Sequence, residues 1–173
     1  WLFGVVVLMY CLEHIAYEFY QPYIRLLDLY WESGDLSAPV SGIIIGISMF
    51  GGALGASLSI GLYRRLGFRA LIYLAFLSQL LIVAALSLLL SPGMLVTVVF
   101  RNLPMALVRA PIQANIVPRI GGHLRATYLS LQSLTARLVF SGLLFVLASA
   151  VDQKDLDWAS LSLLLRGALV FGL

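Results

Sequence analysis

The part of the sequence that decides the fold runs from Arg101 to Arg137 and reads RNLPMALVRAPIQANIVPRIGGHLRATYLSLQSLTAR. It holds two long apolar segments joined by a short basic connection, and arginine stands in both segments where a helix in lipid would carry leucine. An arginine near the middle of a membrane span costs about 2.5 to 3.5 kcal/mol on insertion scales, so such a residue is expected to face protein or water. The stretch therefore predicts a polar pathway inside a membrane-spanning bundle.

The composition of the whole chain points the same way. Hydrophobic residues make up 61% of the 173 residues and charged residues only 11%, and the mean hydropathy is +1.00, outside the usual range of soluble domains. The apolar runs do not alternate in polarity as barrel strands do, so we expect an all-α polytopic membrane protein with room for roughly six helices. Most of the basic residues lie between the spans, so the net charge of +3 favours a role in topology and gives no reason to expect a nucleic-acid partner.

Polar connections divide the chain into six predicted transmembrane helices. They cover about residues 1–24, 37–66, 68–90, 92–117, 125–150 and 158–173. The connections after the second and fourth spans hold five arginines, namely Arg64, Arg65, Arg69, Arg119 and Arg125. The other connections hold only Arg25 and Lys154 as basic residues, so the positive-inside rule places the five arginines in the cytoplasm and directs the first span outward. Because both ends of the chain are abruptly apolar, we expect it to be a piece of a longer protein.

The first span has an unusually polar second half. One helical face, at the i, i+3, i+4 spacing, carries Tyr10, His14, Tyr17, Glu18 and Gln21, with Glu13 to its side. This face is a candidate site for proton coupling or for a cationic substrate. Glu18 and Gln21 have an alternative interpretation, because polar and aromatic side chains also collect where a span meets the outer membrane interface.

The fourth and fifth spans carry the remaining candidate residues of a substrate pathway. Asn102, Arg109 and Gln113 share one stripe with Arg101 beside it, and Pro104 and Pro111 should kink the helix. The fifth span places Ser130, Ser133, Arg137 and Ser141 on one face, with Arg137 near mid-membrane. We expect Arg101 and Arg137 to face a central cavity. The alternative is a structural role, in which they bind neighbouring carbonyls or pair with Glu13.

The second and third spans differ in character. Pairs of glycines four residues apart, Gly42 with Gly46 and Gly51 with Gly55, predict close helix packing in the second span. The third span has few polar residues and is predicted to be peripheral and lipid-facing.

Taken together, these features resemble the C-terminal half of a major facilitator superfamily transporter. The basic turn at 64–69 is similar to that superfamily's loop signature at Arg65, Gly67 and Arg69, although Arg64 stands where the signature has an aspartate. Arg101 resembles the arginine that opens the fourth helix of each half. The pattern around Asn115, followed by residues 118–138, is similar to bacterial drug-efflux-like members.

The resemblance implies a single six-helix domain, residues 1–173, built from two inverted three-helix repeats. Spans one, four and five would line the cavity, and Asn115 would join the substrate pathway. The implied function is secondary active transport of a small solute by alternating access, with protons as the coupling ion. The implied partners are the lipid bilayer and a second, N-terminal half, and the implied location is the inner membrane of a bacterium.

Two other functions compete with transport. An intramembrane zinc protease needs paired histidines at motif spacing, and the sequence has only His14 and His123, in different segments. We therefore expect no enzyme activity, no metal and no cofactor. A six-helix assembly subunit without transport activity stays open as an alternative, but it gives no reason for arginines in the middle of spans.

Overall fold

The computed structural model describes residues 1–31, 37–149 and 157–172. The acidic residues Glu32 and Asp35 of the first connection, Lys154 of the last connection, and the predicted span ends Ala150 and Leu173 lie outside the described residues. The helices are α1 (Leu2–Trp31), α2 (Ser37–Leu88), α3 (Leu95–Val99), α4 (Leu103–Ile116), α5 (Arg125–Ser149) and α6 (Trp158–Gly172). Single turns of 3-10 helix at Pro92–Met94, Val117–Arg119 and Gly122–Leu124 connect them.

The long helix α2 is two helices joined at a sharp kink. Gly67 has φ 77 and ψ 169, a conformation that side-chain-bearing residues rarely adopt. We call residues 37–66 the first arm and residues 68–88 the second arm of α2. The kink falls in the tight basic turn that the sequence predicted between the second and third spans.

Four stretches are long and apolar enough to cross a membrane. They are Leu2–Leu27, Ser41–Leu88, Pro92–Arg119 and Gly122–Ser149, and a shorter apolar helix covers Trp158–Gly172. The chain is therefore helical and compatible with an integral membrane protein. The predicted first span ended at residue 24, whereas α1 continues through Pro22 to Trp31.

Successive helical rods run in alternating directions between two ends of the bundle. At one end the Trp1 ring lies 6.5 Å from that of Phe68, and the Phe3 ring lies 5.9 Å from that of Tyr128. At the other end the Tyr23 ring lies 6.0 Å from that of Trp158, and the Tyr23 hydroxyl accepts a 3.0 Å hydrogen bond from the backbone N–H of Ser91. It follows that α1, the second arm and α5 run one way, while α3 with α4, and α6, run the other way.

The first arm lies parallel to α3 and α4 at very short range. A Cβ added at Gly51 would lie 3.0 Å from the carbonyl oxygen of Val99, and one added at Gly55 only 2.7 Å from that of Leu103. The close packing predicted for this glycine pair is thus confirmed. No described residue comes within 4 Å of a Cβ added at Gly42 or Gly46.

The second arm, predicted to be peripheral and lipid-facing, has two different faces. Leu71, Ala75, Gln79 and Val83 form a fully buried face along it, and this face packs into the centre of the bundle. Its opposite face is exposed, with Tyr73, Leu77 and Leu81 at 57 to 69% exposure. The arm therefore packs on one side and exposes apolar surface on the other.

Candidate functional site

The helical run from Pro92 to Arg119 is interrupted immediately before Pro104. The backbone N–H groups of Phe100, Arg101 and Leu103 donate to carbonyls three residues back, at 3.2, 3.2 and 3.0 Å. Pro104 has no N–H to give to the Phe100 carbonyl, and the N–H of Leu103 takes that place. The sequence predicted a kink at Pro104, and the helix is disturbed there; α4 continues through Pro111, where the predicted kink stays a prediction. Arg101 lies within the break.

Arg101 is buried against two aromatic rings of α1. Its side chain is 1% exposed, and the guanidinium carbon lies 4.8 Å from the ring centre of Tyr17 and 5.1 Å from that of Tyr20. Such contacts stabilise a desolvated cation by about 2 kcal/mol or more. Among the described residues, Nε and Nη1 of Arg101 have no hydrogen-bond partner. A charged group that stays protonated in proteins is therefore held mainly by aromatic faces.

A cavity of about 650 Å³ lies beside this arrangement, between α1, the first arm and α4. Its polar lining comes from Glu13, Asn102, Arg109 and Gln113, four residues that the sequence placed in the substrate pathway. The rest of its lining is small or apolar: Met49, Gly52, Ala53, Ala56, Met105, Ala106 and Ala110. The volume falls in the range of small-molecule pockets.

Hydrogen bonds between helices hold the cavity walls in place. The side-chain amide of Asn102 donates 3.2 Å to the backbone carbonyl of Ser48, and the Ser59 hydroxyl donates 2.6 Å to that of Leu107. The close approach at Gly55 lies between these two bonds along the first arm. Because small residues line both helices, the walls leave a space beside this tightly packed seam.

Charges of both signs meet at the cavity. Arg109 and Arg101 are both near enough to act electrostatically on Glu13, although Arg101 is not one of the residues that line the cavity. His14 lies near enough to Glu18, Arg101 and Arg137 for their charges to act on it. The polar face of α1 and the arginines of the neighbouring helices therefore form one electrostatic unit.

The remaining predicted residues lie outside the cavity wall. His14 stacks on Tyr10 with ring centres 3.7 Å apart, and its Nδ1 lies 3.0 Å from the Tyr10 carbonyl oxygen. The Asn115 amide donates 2.8 Å to the Pro111 carbonyl of its own helix. The exposed ones include Glu18, Gln21, Ser133 and Arg137, and the loop residues Arg65, Gly67 and Arg69 are exposed at the kink.

Sequence reasoning missed two features of this site. Tyr20, which is 2% exposed, covers Arg101 together with Tyr17, and their i, i+3 spacing on one helix is a signal that could have identified the pair. The second feature is the set of alanines that line the cavity, for which the sequence analysis made no prediction.

Among the described residues, no three or more His, Cys, Asp or Glu side chains come together as a metal site would require. Comparison of the chain with protein-family models, with curated proteins and with solved structures finds no match.

Proposed function

We propose that the chain forms a six-helix half of a major facilitator superfamily transporter and moves a small solute by alternating access. In this proposal α1, the first arm and the second arm form one three-helix repeat. The run from α3 to α4, with α5 and α6, forms the second repeat in inverted orientation. The alternating directions of the helices support this division, because three alternating passes leave the second repeat starting on the opposite side of the membrane from the first.

The location of the basic residues supports an orientation for the proposed transporter. Arg64, Arg65 and Arg69 flank the kink near Phe68, at the same end as Trp1. Arg125 begins α5, whose residue Tyr128 packs on Phe3 at that end. By the positive-inside rule this end would face the cytoplasm, in the inner membrane of a bacterium.

The observation that carries the proposal is Arg101, buried in a helix break beside a polar cavity. A cation with unpaired donors costs stability, and a purely structural helix contact gives no reason to keep it. Interrupted helices at the substrate site are a recurrent feature of transporters, where the irregular backbone lines a cavity. The cavity beside the break would hold the solute, and a second half, absent from this sequence, would close it from the other side.

The test is solute flux in membrane vesicles that contain the protein at its natural full length. Mass spectrometry would compare the solutes accumulated by vesicles with parental protein, with the Arg101→Lys variant and with the Arg166→Lys variant. Arg166 is the control, since it is an exposed arginine on α6.

We expect at least one solute whose flux falls at least about tenfold in Arg101→Lys, because lysine lacks the planar five-donor fork of arginine. The same flux should be unchanged in Arg166→Lys. If no solute distinguishes vesicles with the protein from empty vesicles, or if Arg101→Lys transports at the parental rate, the proposal is wrong.

A further inference from the structure

The charges around the cavity do not cancel. Glu13 and Arg109 line it, and Arg101 lies behind it near enough to act on Glu13. Glu18 and Arg137 are exposed, lie near enough to His14 to act on it, and add one charge of each sign. Three arginines therefore stand against two carboxylates, which leaves one positive charge in excess and favours an anionic occupant.

The buried arginine is the strongest sign of what that occupant is. Nε and Nη1 of Arg101 are buried and have no partner among the described residues. A carboxylate, with two oxygens in one plane, can accept two parallel N–H bonds from a guanidinium. Of the two rings over Arg101, Tyr20 is buried and Tyr17 is 44% exposed. The covered guanidinium therefore contributes its charge from behind these two rings.

The apolar lining suggests the rest of the molecule. Met49 and Met105 are flexible, polarizable side chains that adapt to differently shaped apolar ligands. The alanines and Gly52 leave room for a body of several carbon atoms or a ring. The lining thus combines apolar side chains with one arginine, Arg109, and one carboxylate, Glu13.

Building on the transporter function above, we propose that the cavity binds a small organic acid, with its carboxylate held by Arg109, its apolar body against Met49 and Met105, and the charge of Arg101 acting on it from behind the cavity wall. While the cavity is empty, Glu13 is the negative charge that balances these arginines. When the acid binds, its carboxylate takes over this role, and Glu13 then repels it. Removing the Glu13 charge should therefore strengthen binding of an acid, whereas it would weaken binding of a cation. This opposite sign separates the proposed occupant from a cationic solute.

The experiment is equilibrium binding to the full-length protein in nanodiscs of zwitterionic lipid. The probes are three naphthalene derivatives with the same apolar body: 2-naphthoate, its neutral amide 2-naphthamide and the cation 2-naphthylmethylamine. We expect the acid to bind at least about tenfold more tightly than the amide, since a hydrogen bond between two charged groups is stronger than one to a neutral group by about that factor. The amine should bind more weakly than the amide.

Variants test whether the acid binds at this cavity. Arg109→Gln and Arg101→Gln should each weaken acid binding about tenfold or more, Glu13→Gln should strengthen it, and Arg166→Gln should leave it unchanged. Should Arg101→Gln fail to fold, Arg109→Gln and Glu13→Gln still decide, because both residues lie at the cavity surface. The inference is overturned if the acid fails to bind at about 1 mM, if the amine binds as tightly as the acid, or if Glu13→Gln weakens acid binding.

The outcome is separable from that of the transport test. Binding of the acid at the cavity, together with vesicles in which no solute is transported, would overturn the transporter function and leave this inference standing. A solute that carries no anionic group and whose transport depends on Arg101 would support the transporter function and overturn this inference.

Discussion

The Ser59 hydroxyl donates a 2.6 Å hydrogen bond to the backbone carbonyl of Leu107 on the neighbouring helix α4. Leu107 lies four residues before Pro111, whose nitrogen carries no hydrogen, so this carbonyl lacks its ordinary helical donor. Ser59 is 1% exposed and Leu107 is 5% exposed, which leaves water no access to the bond. One hydroxyl thus both replaces the hydrogen bond that the proline removes and joins the first arm of α2 to α4.

Replacing Ser59 by alanine should lower the free energy of unfolding by about 1 to 3 kcal/mol, the cost of leaving a buried acceptor unsatisfied. Ser57 provides the matched control, since its exposed hydroxyl bonds only to Leu54 of its own helix. Ser57→Ala should change stability by less than about 0.5 kcal/mol. Chemical unfolding in detergent micelles measures both.

The cause can be tested by changing the proline. In the Pro111→Ala background the alanine N–H can bond to the Leu107 carbonyl, so Ser59→Ala should cost clearly less there than in the parental protein. An equal cost in both backgrounds would show that Ser59 stabilises the bundle for another reason.

A second prediction concerns the seam between the first arm and α4. Gly55→Ala should destabilise the bundle by about 1 to 3 kcal/mol, because the new Cβ would lie 2.7 Å from the Leu103 carbonyl oxygen and 3.0 Å from the Ala106 Cβ. Gly61→Ala, on the same helix, meets nothing within 4 Å among the described residues and should be neutral or slightly stabilising. Equal thermal midpoints for the two variants would contradict the proposed seam.

The sequence predicted those parts of the fold that local pattern controls. The apolar spans, the turn near Gly67, the break before Pro104 and the close approach at Gly55 each follow from nearby residue types. The stripe of Asn102, Arg109 and Gln113 was also predicted, because helical periodicity alone places them on one face.

Other features depend on tertiary packing, which the sequence pattern does not encode. The sequence did not indicate which face of the second arm is buried, because an apolar face against protein and one against lipid have the same composition. Likewise, Gly42 and Gly46 have the same spacing as Gly51 and Gly55 yet meet no described residue. Arg101 lies behind Tyr17 and Tyr20, and these contacts between helices do not follow from the periodicity of its own helix.

A third prediction concerns pH and the start of α6. The Asp157 carboxylate accepts a 2.8 Å hydrogen bond from the backbone N–H of Ser160, and this bond, with a second one from the Ser160 side chain, lowers the pKa of Asp157 below its ordinary value of 3.8. A lowered pKa in the folded state means that the charged cap stabilises α6 above the ordinary value and loses this effect as pH falls through the folded pKa.

Asp157→Asn keeps a capping side chain without a titratable group. The thermal midpoint of the parental protein should therefore fall more steeply below about pH 4 than that of the asparagine variant. Identical slopes in that range would show that Asp157 does not contribute to the pH dependence of stability.

The last prediction is that Tyr20 stabilises Arg101 through its ring. The guanidinium carbon lies 5.1 Å from the ring centre, and both residues are almost fully buried. Tyr20→Phe keeps the aromatic face and loses only a 3.3 Å bond from the Gln21 amide, so it should cost less than about 1 kcal/mol.

Tyr20→Leu keeps much of the apolar volume but removes the negative ring face, and it should cost about 2 kcal/mol more than Tyr20→Phe. If the loss comes from the cation, it should shrink strongly in an Arg101→Met background, where the side chain at position 101 has no charge. Unfolding of the single and double variants gives this coupling energy directly. A coupling energy near zero would mean that Tyr20 acts through packing alone and that the Arg101 charge is stabilised by other groups.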